Sequence, residues 1–205
     1  MPQQLKAISA LLWVAGYLTV AAHSALGQEA QRVRGTVESL IGNTLVVKTR
    51  EGTDQTVILK PDWKVRGITK ASVEDIKLGD FVGVVSLPKA DGGDGALEVL
   101  IFPTAMKGTG EGTHPWDLKP NSTMTNATVA KAVKAVDGHT ITLTYQGKEK
   151  MISIAGDTPI VTFTPAGKAD LGAGARVIVM GEKAPDGTLS AANVTVGTNG
   201  VVPLM

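Results

Sequence analysis

The sequence predicts an all-β fold, and three features carry that reading. One pattern is written twice along the chain, each copy consists of short alternating segments rich in β-branched residues, and glycine-bearing turns separate those segments. The copies align in order. VESLIGNTLVVK (Val37–Lys48) matches VKAVDGHTITLT (Val133–Thr144), with Gly42 on Gly138 and Thr44 on Thr140. TVILKPDWKV (Thr56–Val65) matches MISIAGDTPI (Met151–Ile160), and VEDIKLGDFVGVV (Val73–Val85) matches KADLGAGARVIVM (Lys168–Met180). Late in each copy, DGALEV from Asp94 resembles DGTLSA from Asp186 after a small deletion.

Each element has a local cause. NTLVVKT and HTITLTY alternate in side-chain character, as half-buried strands do. Turns at Ile41-Gly42-Asn43, Arg50-Glu51-Gly52, Asp137-Gly138 and Gln146-Gly147 place glycine where a tight hairpin needs positive φ. The segment from Ala71 to Asp80 predicts a short helical turn, capped by Ser72, acidic in its first turn at Glu74 or Asp75, and ended by Gly79. The order is strand, hairpin, strand, strand, short helix, strand, turn, strand. Five strands with a helix before the fourth suit a small closed barrel of the OB type, a shape that also removes exposed sheet edges. The expected architecture is two tandem OB-like barrels, over 32–102 and 128–197, joined by a glycine-rich strap over 103–127 and followed by a tail over 198–205.

The first 27 residues read as a secretory signal peptide. Lys6 precedes an apolar run from Ala7 to Ala22, too short to span a bilayer, and Ala25-Leu26-Gly27 fits small-residue cleavage before Gln28. Removing them takes Lys6 and no acid, leaving 19 basic against 19 acidic residues, a balance that gives no field for nucleic acid or an anionic membrane. The chain has no cysteine, which excludes disulfides, thiolate nucleophiles and cysteine-held metals. The expected location is periplasmic or secreted, with no membrane insertion after cleavage.

Gly35-Thr36-Val37, Gly42, Thr44, Asp75, Gly79-Asp80, Val82 and Asp94-Gly95, repeated as Val133, Gly138, Thr140, Asp170, Gly174, Val177 and Asp186-Gly187, form a recurring pattern. It resembles that of a bacterial secreted family of unknown function with small OB-like β domains. The second copy departs at Ala175, where the first has Asp80. Some such proteins carry names alluding to metal transport permeases, but one short apolar run cannot make a transport path. The resemblance implies no activity and no catalytic residues.

The strap, MKGTGEGTHPWDLKPNSTMTN, holds the candidate chemistry. Glu111, His114 and Asp117 are spaced three apart and offer two carboxylates and an imidazole to a divalent metal, with Met106 and Met124 nearby as soft donors. Pro115 interrupts any helix that would align them, and the plainer reading has His114 and Trp116 pinning the strap to a barrel. GTGEG (Gly108–Gly112) lacks the Lys-Ser/Thr ending of a phosphate loop, and DGGDG (Asp91–Gly95) lacks the ligand pattern of a calcium loop. Trp63, Lys107 and Trp116 are candidates for a ligand or partner surface, Trp63 equally for a core plug. No triad or carboxylate pair stands out, so the chain reads as non-enzymatic. The expected function is a binding or assembly module that contacts an envelope protein. Metal handling through the strap and a hydrolase with an unrecognised site are the alternatives.

Overall fold

The computed structural model describes residues 29–90, 92–135 and 138–204, so the expected leader lies outside them. The described chain is all-β. In order the strands are β1 (Glu29–Ile41), β2 (Thr44–Thr49), β3 (Asp54–Lys70), β4 (Phe81–Pro88), β5 (Asp94–Ile101), β6 (Gly112–Pro115), β7 (Thr123–Ala135), β8 (Gly138–Tyr145), β9 (Lys148–Ile154), β10 (Ile160–Thr164), β11 (Arg176–Lys183) and β12 (Leu189–Gly197).

Hydrogen bonding runs in the order β12-β11-β1-β2-β3-β10-β5-β4-β7-β8-β9, with β12 also pairing β3 and β5 also pairing β9. The β12–β3 pairing is parallel and closes β1, β2, β3, β12 and β11 into a barrel of five strands. Its interior holds Val33, Val37, Leu45, Val47, Val57, Leu59 and Trp63 from the first half of the chain, against Leu171, Val177, Val179, Leu189 and Val194 from the second. Burying each such aliphatic side chain stabilises by roughly 1.5–3 kcal/mol, which a chain without cross-links must rely on. Five of the seven remaining strands make a second circuit, β4, β7, β8, β9 and β5, closed by only two parallel residue pairs, Asp94 with Ile152 and Gly95 with Ser153. Around it pack Val82, Val84 and Val99 from the first half with Ala127, Val129, Ile141, Leu143 and Ile152 from the second.

Neither circuit is therefore contiguous in sequence, and strand pairing crosses the expected boundaries at 32–102 and 128–197. Each opening three-strand meander is completed by the last two strands of the other copy. The pairings repeat in detail. Val37 N–H donates to Ala175 O (2.8 Å) and Val129 N–H to Asp80 O (2.8 Å). Gly174 N–H donates to Val37 O (2.8 Å) and Gly79 N–H to Val129 O (2.9 Å). Both glycines have positive φ, +89° at Gly174 and +85° at Gly79, a conformation that side chains disfavour. The repeated glycine thus turns the chain into the fourth strand of a circuit begun by the other copy.

Three details of the sequence reading change. The expected short helices are 3-10 turns, Val73–Asp75 and Lys168–Leu171, too brief for an α-helical bond ladder. Ser72 stands at the N-cap as expected, with Asp75 in the first turn accepting from its N–H (2.8 Å), and Asp170 accepts likewise from Gly167 N–H (2.7 Å). Within the first hairpin of each copy, Val37 lies opposite Val47 while Val129 lies opposite Leu143, so Val37 matches Val129 and the second hairpin is four residues longer. The late match involves no deletion. Gly92 and Gly187 close equivalent turns, donating to Lys89 O and Ala184 O, whereas Asp94 already belongs to β5.

Two predictions follow from the exchange. Thr36 and Arg176 are register partners across β1 and β11, at a separation suited to a disulfide. In this cysteine-free chain the double variant Thr36→Cys/Arg176→Cys is expected to form an intrachain cross-link on mild oxidation, seen as a mobility shift without reductant. A Cβ at Gly35 would sit 2.0 Å from the Lys48 carbonyl oxygen, so Gly35→Ala is expected to lower the urea-unfolding free energy by about 1–3 kcal/mol.

Candidate functional site

The strap docks on the barrel through a small set of polar contacts. Its β6 pairs antiparallel with the start of β7, setting His114 opposite Met124 and Thr113 opposite Thr125. Pro115 is compatible with this edge position. The chain then turns through Trp116, whose backbone N–H donates to Ser122 O (2.8 Å), and the Trp116 side chain reaches β1 of the barrel. Arg32 stacks on it with its guanidinium carbon 3.6 Å from the ring centroid, and Arg34 lies at 6.0 Å. Asp117 accepts from Arg34 Nη2 (2.7 Å) and lies 3.7 Å from Arg32 Nη1. These donors, the Arg34 hydrogen bond foremost, hold the Asp117 carboxyl below its ordinary range. Burial lowers the pKa of Arg32 despite the opposing influence of Asp117.

Beneath the strap, where the two circuits meet, lies a cleft of about 350 Å³. A third apolar cluster forms its floor: Ile68 of β3, Leu100 of β5 and Val161 of β10, with Phe102 and Phe163 packed against them. Phe102 stacks between Phe81 and Phe163 at ring separations of 5.4 and 5.7 Å. Polar side chains enter the lining from several strands: Arg32, Arg66, Glu98, His114, Trp116 and Asn126. Three of their atoms, Arg32 Nε, Trp116 Nε1 and Asn126 Oδ1, are buried with no hydrogen-bond partner. Buried polar atoms rarely go unpaired, and each instance costs about 1–3 kcal/mol unless something satisfies it.

The sequence-predicted residues fall in different places. His114 and Trp116 line the cleft, as do Met106 and Met124. Glu111 turns to the β8–β9 hairpin, its carboxylate accepting from Gln146 N–H (2.9 Å), and Asp117 is committed to the arginines. Among the described residues no group of three or more His, Cys, Asp or Glu side chains is placed to hold a metal. Trp63 is a buried core residue of the barrel, its Nε1–H 3.4 Å from Asn43 Oδ1 and its face covered by Lys168 Nζ at 4.6 Å. Lys107 is exposed and donates to Gly79 O (3.0 Å). In GTGEG, the Thr109 and Glu111 amides donate to Met106 O and Gly108 O and so serve the loop itself.

Arg32, Arg66 and Glu98 were not singled out from the sequence. Glu98 carried a signal, a lone acid inside the apolar run of β5. The arginines look in sequence like ordinary outward residues of alternating strands.

A second polar cluster joins strands of the other circuit. Lys150 of β9 pairs with Asp94 of β5 (2.7 Å) and approaches Thr123 (3.2 Å) and Thr125 (3.3 Å) of β7, while Ser86 of β4 donates to Asp94 (2.8 Å). For Asp94, burial raises the pKa, but the Lys150 and Ser86 donors outweigh it and the net shift is downward. Ser86 and Thr125 are fully buried, whereas Thr123 and Lys150 are partly exposed. The cluster braces the place where the circuit closes on two residue pairs.

No family model matches the chain, and the comparisons with curated proteins and with solved structures return no match either. Among the described residues no helix is long and apolar enough to cross a membrane.

The strap contact has a pH signature. Because the folded pKa of Asp117 is depressed, its contribution is full above the unfolded value near 3.8 and fades as pH falls through the lower folded value. Asp117→Asn is expected to cost on the order of 0.5–1 kcal/mol at pH 7, as a half-exposed ion pair would. The gap from wild type, measured by urea unfolding, should shrink progressively as the pH is lowered below 4.

Proposed function

We propose that the protein is a non-catalytic binding module of the cell envelope, built as a strand-exchanged pair of OB-like barrels, with the cleft under the strap as its ligand site. The observation that carries this reading is the cleft itself: an apolar floor at the junction of two units, with three buried polar atoms lacking partners. Small-molecule sites have this composition, a mostly apolar concavity with a few placed polar groups, and they favour unit junctions. OB-like strand order supports it by analogy only, from the meander of three strands completed by two more after a short turn. A secretory leader, balanced charge and the absence of an evident catalytic set agree with an extracytoplasmic binding role. Contact with an envelope protein belongs to the same proposal, the ligand and partner acting through one strap. Metal handling ranks behind it, because Glu111 and Asp117 already serve Gln146 and Arg34.

The neutral apolar fluorophore N-phenyl-1-naphthylamine is expected to bind saturably, one per chain, with enhanced emission. Leu100→Trp, which fills the floor, should abolish that binding while leaving the far-ultraviolet circular dichroism unchanged. Binding that persists undiminished in a folded Leu100→Trp protein would place the probe elsewhere and count against the cleft.

A further inference from the structure

We infer that the cleft takes a small monocarboxylate with an apolar body, its carboxylate held by Arg32 and Trp116. The inference rests on the cleft being the binding site and adds the chemistry of the ligand. The partnerless buried atoms are two donors, Arg32 Nε–H and Trp116 Nε1–H, and one acceptor, Asn126 Oδ1. A ligand that satisfies the two donors must bring acceptors to them. The charge of the lining makes an anionic acceptor the best fit. Two guanidiniums, Arg32 and Arg66, enter the lining against the single acidic side chain of Glu98, an excess of basic groups that a monoanion offsets.

Arg32 is also preorganised for the task. Trp116 covers one face of its guanidinium at 3.6 Å, and Asp117 meets it at Nη1, which leaves the Nε edge as the side without a partner. A guanidinium fork accommodates a carboxylate through two parallel N–H···O bonds, and a stacked, partly dehydrated guanidinium binds it with little loss of side-chain freedom. Ile68, Leu100, Phe102, Phe163, Ile178 and Met180 offer apolar surface to a hydrocarbon or aryl body. At about 350 Å³ the cleft lies at the small end of small-molecule sites, which span roughly 300–1,000 Å³.

The test is isothermal titration of the whole protein at pH 7 with decanoate, decan-1-ol and decyltrimethylammonium, all below their aggregation limits. Decanoate is expected to bind at least tenfold more tightly than the alcohol, and the cation not at all. Arg32→Met should weaken decanoate on the order of ten- to hundredfold, the range for loss of a charge-assisted hydrogen bond. Trp116→Phe keeps the stacking ring and removes the donor, so it should weaken decanoate about fivefold and leave decan-1-ol unchanged. It thereby separates ligand contact from a role in holding the strap. Equal affinity for acid and alcohol, or decanoate binding untouched by both substitutions, would overturn the inference while leaving the cleft as an apolar site. Failure of decanoate to bind, with the neutral fluorophore still bound, would overturn it in the same way. Loss of both would remove the cleft reading as well.

Discussion

The whole arrangement depends on how the fourth strand of each circuit is supplied. A meander of three strands leaves two edges bare, and those edges need pairing before any interior is sealed from water. β1 finds its partner in β11 and β7 finds its partner in β4, so each half of the chain completes the other. The cores are mixed for the same reason: Val47 and Leu59 pack with Val179 and Leu189 in one, Val84 and Val99 with Leu143 and Ile152 in the other. Neither half can bury its apolar face without the other, and in a chain lacking disulfides this mutual burial joins the halves. Between them, β10 pairs with both β3 and β5 and fastens one circuit to the other.

That junction creates the cleft. Two curved surfaces packed side by side leave a concavity along their seam, and the strap crosses above it. Trp116, Arg32, Arg34 and Asp117 hold the strap through stacking and charge, interactions that are directional and only partly dehydrated. Trp116 and His114 are thus positioned in the lining by the docking of the strap, whereas the apolar floor is positioned by β3, β5 and β10. The strap and the floor thus face each other across one concavity.

Much of the fold was legible. Alternation marked β2 and β8, turn glycines marked the hairpins, and Asp75 and Asp170 announced the tight turns before β4 and β11. The exchange was not legible, and the repeat itself is the reason. Val82 and Val177 are equivalent residues, so pairing Gly35 with one or the other satisfies the same pattern of side chains. No propensity separates two partners of nearly identical chemistry; only the path of the connections does. The strap drew attention for its composition, and Trp116 and His114 do line the cleft. Spacing suggested a link between Glu111 and Asp117, but β6 and its flanking turns send those carboxylates to different neighbours. The arginines of β1 acquire their role only when residues more than eighty positions away fold over them, a relation that no window of sequence contains.

The β1–β11 pairing also has a temporal consequence. Among the described strands β1 comes first and β11 next to last, and Gly35 of one meets Val177 of the other, so the barrel seals only when both are in place. A chain with such distant contacts folds slowly, since the long loop must close before its contacts repay the lost entropy. Until then the apolar side chains that will line the barrel stay exposed to water.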